Sequence, residues 1–258
     1  MCPQSPRTRW TGNELLVVFH LYCALQFGQL HARNKQIIAL AELMNRTPSS
    51  VAMKAVNFAG LDPALDRRGL ANASRADREL WARFLADSES VADQAEQAWE
   101  RLWAGVKPEQ VPEQDFDFVV PSGETERVTI AKGRRVQGFF RRAVLVSYAS
   151  QCALTGLNFK TMLIASHIIP WSENASRRAD PTNGICLNVL HDRAFDKGLV
   201  TFDDDLRLVM SATLREVTTN EFHREAFTRF EGKPLKMPER FRPDPVALAY
   251  HRENCFKG

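Results

Sequence analysis

Cysteine is scarce in this 258-residue chain: five residues, at positions 2, 23, 152, 186 and 255, with no CxxC pair among them. An odd, scattered set excludes a disulfide framework and a zinc site built from four cysteines. Cys152 and Cys186 then read as small apolar core residues, or as parts of an unusual shared metal site. Long apolar runs are absent too, none approaching the ~20 residues of a membrane span. Leu15 to Phe19 is a short segment after Asn13-Glu14, without the cationic start and long apolar stretch of a secretory leader. The expectation is a cytoplasmic protein with no membrane partner. Internal repeats and low-complexity tracts are missing. The net charge of +3 is too small to mark a nucleic-acid binder by itself.

What is present suggests two parts. With 44% hydrophobic residues the chain can bury two moderate cores. Between them, Lys107 to Arg127 (KPEQVPEQDFDFVVPSGETER) carries three prolines and several acids and reads as a linker. Phe116, Phe118, Val119 and Val120 within it can dock as a short strand. The division is therefore residues 1–106, helical; 107–127, linker; and 128–258, a mixed domain, giving an α+β class.

The helical part is most informative from Asn34 to Pro63. Ile37, Ile38, Leu40, Ala41, Leu43 and Met44 predict one short amphipathic helix. Thr47 can cap a second helix that has Pro48 in its first position and carries Val51, Met53, Ala55, Val56 and Phe58. Two short helices around a tight turn fit a helix-turn-helix, in which Ser49, Ser50, Lys54 and Asn57 would line the exposed, DNA-contacting side. An ordinary helical hairpin fits as well.

Downstream, charge is uneven. Arg127 to Ser150 holds six basic residues, Arg127, Lys132, Arg134, Arg135, Arg141 and Arg142, and no acidic one. Most fall on a predicted helix, Arg134 to Tyr148, whose Val136, Phe140, Val144 and Tyr148 form an apolar stripe. Arg134, Arg135, Arg141 and Arg142 are candidates for a DNA backbone, the alternative being a solvated helix face.

From Cys152 to Asp205 the residue types turn toward chemistry. Thr161 to Ala165 (TMLIA) predicts a strand that delivers His167 at its end, before Ile168, Ile169 and Pro170 stop regular structure. Asn188 to Lys197 (NVLHDRAFDK) predicts a short helix carrying His191, with Gly198 as its stop. If that helix crosses the strand end, His191 faces His167 over a gap. Asn183 precedes Gly184, where its amide can bond backbone across a turn. A histidine is a neutral base near physiological pH, and phosphodiester hydrolysis needs such a base and a cation.

The run S-H-I-I-P-W followed by N-G-I-C-L-N-V-L-H-D-R-A-F-D-K-G resembles the HNH endonuclease family, whose core is a ββα-metal fold. The likeness extends upstream through Arg134, Gln137, Phe140, Arg141, Tyr148 and Cys152 to Thr155-Gly156, and downstream into Leu199-Val200-Thr201. It implies that His167 is the general base, that Asn183 orients it, and that His191 binds one divalent ion, Mg²⁺ or Mn²⁺. It also implies double-stranded DNA as substrate, cut to 5′-phosphate and 3′-hydroxyl ends. Restriction or defence follows as the role, with a modified base as an open option and a homodimer as the expected state for a symmetric cut. The opening Trp10-Thr11 and Glu14-Leu15 is similar to the front half of some bacterial restriction-type members.

Two positions depart from the family pattern. Ser166 stands where many members have an acidic ligand, and Phe195 where some have a second helix ligand. Asp192 and Asp196 are the nearest carboxylates; Asp196 is added to the metal candidates, although five residues of helix turn it off the His191 face. A nonspecific or homing-type nuclease shares these features. A DNA-binding protein whose HNH fold has lost catalysis is the third reading, favoured by Ser166. Farther on, Leu199 to Ser211 predicts a hairpin with Asp203, Asp204 and Asp205 as ordinary turn acids, and His251 has no evident partner.

Overall fold

The computed structural model describes residues 9–65, 72–104, 106, 127–216 and 220–258. The expected linker and its aromatic strand lie outside the described residues, apart from Arg127, which begins a helix. No helix among the described residues is long and apolar enough to cross a membrane.

Among the described residues the N-terminal part holds α1 Gly12–Ala24, α2 Lys35–Leu43, α3 Pro48–Ala59, α4 Arg75–Ala86 and α5 Ser88–Trp103. Thr11 opens α1 with a capping box through Glu14, satisfying two backbone donors. Leu15 through Cys23 are all buried, so α1 is wrapped on every side by the rest of the bundle. The expected turn between α2 and α3 forms, with Asn45 at φ 51° and Thr47 capping α3 ahead of Pro48.

The exposed recognition face does not form as expected. Ser49 is exposed and Ser50 partly so, but Lys54 and Asn57 are buried. Lys54 Nζ donates to both oxygens of Asp77, at 2.9 and 3.0 Å, and Asn57 donates to the same carboxylate at 3.4 Å. Asp77 also caps α4 by accepting from the Ser74 N–H. Packing of α4 on α3 covers this face, because Asp77 needs cationic and amide partners once it is itself fully buried.

From Arg127 onward come α6 Arg127–Ser147, β1 Leu163–His167, β2 Gly184–Asn188, α7 Val189–Asp196, β3 Val200–Phe202, β4 Leu208–Met210, α8 Ala212–Glu216, α9 Glu221–Ala226 and α10 Pro245–Asn254. β1 pairs antiparallel with β2, Leu163 opposite Asn188 and His167 opposite Gly184. α7 starts directly where β2 ends, with Asn188 as its cap. Gly198 ends it at φ 69°, and a Cβ there would sit 2.0 Å from the Cys255 carbonyl, so only glycine fits. β3 and β4 form the second hairpin.

Two apolar cores result, and α6 serves both. Val136, Phe139 and Ala143 join the N-terminal cluster, while Phe140, Val144, Leu145 and Tyr148 join the one around β1, β2 and α7. The tail adds a second tie. Arg240, fully buried, donates to the Tyr22 and Leu25 carbonyls at 2.6 and 2.5 Å, and Phe241 stacks on Trp81.

The basic run on α6 mostly faces inward, correcting the expected DNA-facing patch. Lys132 pairs with Glu89 at 2.6 Å, Arg135 with Asp93 at 2.6 Å, and Arg142 with Glu96. Partner numbers rise together, so α5 and α6 run side by side in the same direction, joined by an acid-base ladder. Arg141 donates to the Leu163 carbonyl at 2.7 Å and so ties α6 to β1. The acidic run of α5 supplied the partners that α6 lacks within its own sequence. Arg134 is partly buried and, among the described residues, makes no such ion pair, its Nε being without a hydrogen bond.

Candidate active site

His167 closes β1, where the ladder with β2 ends, and three contacts fix its ring. Phe140 of α6 stacks on it at 3.7 Å with 14° between the planes. Trp171 meets it edge-on at 5.6 Å. Nε2 lies 3.0 Å from the Arg178 carbonyl. A carbonyl only accepts, so Nε2 carries the proton and Nδ1 keeps a lone pair. Burial lowers the ring's pKa to about 4, the Arg178 carbonyl bond working against that shift, and the imidazole is neutral at physiological pH.

Glycine at position 184 is what allows the stack. A Cβ there would lie 2.5 Å from Val144 Cγ2 and 2.8 Å from Phe140 Cζ. β2 therefore passes flush against α6, and the Phe140 ring is left to support the imidazole.

Asn183 holds the loop that follows His167. Its Oδ1 accepts from the Ile169 N–H at 2.8 Å, and Nδ2 donates to the Ile169 carbonyl at 3.2 Å. Both bonds go to backbone, with the side chain buried. Asn183 thus shapes the turn after His167 without reaching the ring.

His191 lies elsewhere than expected. Its ring is 1% exposed, with Nε2 2.6 Å from the Ala226 carbonyl and edge-on contacts to Phe227 and Phe230. It belongs to the buried face of α7 with Ala194 and Phe195, three and four residues on. The expectation that it faces His167 across an open gap is corrected: α9 and the segment after it cover that side of the helix.

The neighbouring residue takes the outward place. Asp192 is half-buried and has the Ser166 hydroxyl as a neighbour that favours its ionised form, which relates α7 to the residue before His167. Burial raises its pKa; Ser166 counters this, while the nearby Asp196 charge adds to it and Arg193 opposes it. Asp196 stands one turn along, exposed, 3.9 Å from Arg193. It shares a face with Asp192 rather than with His191. Because neighbours on a strand point to opposite faces, Ser166 turns toward α7 and His167 toward α6.

These groups suit a hard divalent ion in part. Two carboxylates at i and i+4 and a hydroxyl offer oxygen donors, and repulsion between the carboxylates is relieved by a cation. Among the described residues no group of three or more His, Cys, Asp or Glu is placed to hold a metal ion. An ion of the Mg²⁺ type commonly keeps water and substrate phosphate as its remaining ligands. Cys186 is fully buried among apolar residues, whereas the buried Cys152 Sγ accepts from the Asn188 N–H at 3.3 Å; burial pushes its thiol pKa up, but the neighbouring His191 and Thr155 outweigh that and bring it down to about 7.

Asp192 was not among the site residues expected from sequence, nor were Trp171, quoted only as part of the S-H-I-I-P-W run, and Arg178. For Asp192 a signal was available. His191, Ala194 and Phe195 fall on one helical stripe with two apolar members, which points that stripe inward and turns 192 and 196 outward.

A family model described as HNH endonuclease matches residues 152–203, the stretch holding β1, β2, α7 and β3. No curated protein matches the chain.

Proposed function

We propose that this chain, whose residues 152–203 belong to the HNH endonuclease family, is a metal-dependent DNA endonuclease with His167 as its general base. The observation that carries the reading is the fixed, neutral imidazole. Its Nε2 proton is committed to the Arg178 carbonyl, so Nδ1 is the nitrogen that takes a proton from water. A phosphodiester arriving beside the ring is anionic and favours the protonated form, lifting the base from its low resting pKa.

Asp192 is the residue we assign to the divalent ion, with Asp196 adding negative charge nearby, in place of His191. When bound, the ion supplies charge neutralisation at the phosphate and the leaving oxygen. Ser166 orients the Asp192 carboxylate through its hydroxyl. Asn183 keeps the loop after His167 in place, and Phe140 and Trp171 restrict the ring's rotation.

Restriction or defence, with or without a modified base, is the biological reading drawn from the resemblance. Plasmid DNA, unmodified and cytosine-modified, is the substrate that tests it, with Mg²⁺, Mn²⁺ or EDTA. Cutting that needs the metal is the expected result, and discrete bands would indicate site recognition. Retained binding without cutting under any of these conditions would leave the inactive DNA-binding reading in its place.

A further inference from the structure

The carbonyl that fixes His167 is itself held from the N-terminal bundle. Ser88, the first residue of α5, is 1% exposed and has a loop as its partner rather than its own helix. Its hydroxyl donates to the Ser176 carbonyl at 2.8 Å and accepts from the Ala179 N–H at 3.2 Å. The two bonds bracket residues 177 and 178, so a single side chain pins the backbone on either side of the Arg178 carbonyl.

Glu89, the next residue, holds the same segment by its side chain. One carboxylate oxygen accepts from Arg178 at 3.1 Å, and the other pairs with Lys132 of α6 at 2.6 Å. Arg178 in turn donates through Nε to the Trp171 carbonyl at 2.9 Å, with its guanidinium 5.0 Å from the Trp171 ring. Trp171 is the residue whose ring meets His167 edge-on. Arg178 therefore touches the imidazole's surroundings twice, by its carbonyl and through Trp171, and both routes run back to the start of α5. The first turn of a helix also favours an acidic side chain, and Glu89 sits there between two cations.

We propose that Ser88 and Glu89 are positioning residues for His167: they set the Arg178 carbonyl, and with it the ring orientation and the choice of Nδ1 as the basic nitrogen. The helical bundle is then part of the catalytic apparatus. This rests on the reading of His167 as the base, although the coupling itself can be measured without cleavage.

The test uses the full chain, uniformly ¹⁵N-labelled, with histidine ring nitrogens observed by long-range ¹H–¹⁵N correlation and His167 assigned by its loss in His167→Ala. The wild type is expected to show His167 protonated at Nε2. In the Ser88→Ala/Glu89→Gln variant, folded by circular dichroism, the ring is expected to shift to a mixture of tautomers. Single-turnover DNA cleavage should then fall about ten- to a hundredfold, the scale of a misplaced catalytic group, with DNA affinity little changed. Asp93→Asn breaks the neighbouring pair with Arg135 in the same helix interface but does not touch the loop. It should leave the His167 signals as in wild type.

Unchanged His167 nitrogens in the folded double variant would overturn the proposal, and so would an equal shift in Asp93→Asn, which would mean general loosening of α5. Should the double variant not fold, Glu89→Gln alone is read by the same criteria. A wild type that fails to cut DNA would remove the nuclease reading, while the tautomer measurement would still decide the coupling.

Discussion

Replacing Gly184 with alanine adds one carbon at the place where the strand carrying the site meets the helix supporting it. The new Cβ would stand 2.5 Å from Val144 Cγ2 and 2.8 Å from Phe140 Cζ, and both side chains are buried, at 1% and 2% exposure. Neither can swing into solvent, so the strand must lift or the two side chains must leave their rotamers. Overpacking of this kind costs about 1–3 kcal/mol. Position 184 has φ −135°, extended backbone open to alanine, so lower unfolded-state entropy returns about 0.4–1 kcal/mol. The net expectation is a loss of about 1–2 kcal/mol, or a fall in Tm of roughly 2–8 °C for a chain of this size.

Urea titration and calorimetry read that loss directly. Because Phe140 is also the surface on which His167 stacks, DNA cleavage should fall by more than the small unfolded fraction explains. Gly133→Ala is the control. No atom lies within 4 Å of its added Cβ and the position is inside α6, so helix propensity predicts a gain of about 0.5–1 kcal/mol. A Gly184→Ala protein as stable as wild type would refute the close-packing argument.

Four further expectations follow from other parts of the molecule. Asp77→Ala strands the buried Lys54 ammonium and should lower stability by about 3–5 kcal/mol in urea titration. Lys54→Met, which also removes the charge, should cost less than Asp77→Ala and leave the salt dependence of DNA binding unchanged, as expected if Lys54 does not meet phosphate. His251, stacked on Phe195 and held by Thr201, has its pKa lowered by burial to about 4. The unfolded state therefore takes up its proton first, so stability is full above the unfolded value of about 6.5 and declines as pH falls toward 4, by about 3 kcal/mol for this group, readable in urea midpoints. Asp192→Ala should raise the Mn²⁺ concentration needed for half-maximal cleavage, whereas His191→Ala should act first on Tm.

The order of elements was readable because it is local. The strand before His167, the helix after Asn188, the stop at Gly198, the turn before Pro48 and the second hairpin all follow from short-range pattern and capping. What could not be read was which charged side chains turn inward. Lys54, Arg135 and Arg142 look like surface cations in sequence, and each is neutralised by a carboxylate 23, 42 or 46 residues away. The same holds for His191, buried by a carbonyl 35 residues downstream, and for His251, which meets Thr201 and Phe195 from 50 and 56 residues off. The Ser88 and Glu89 clamp on the loop behind His167 spans nearly ninety residues, and nothing in either segment alone announces the other.

The central claim is that His167 removes the proton from the attacking water, and single-turnover cleavage at saturating Mn²⁺ tests it most directly. Wild type and His167→Ala are compared on the same DNA, with binding measured in parallel. The rate in the variant should be lower by about 10²- to 10⁴-fold, the usual contribution of a positioned general base, at unchanged DNA affinity. Equal rates for the two proteins would contradict it.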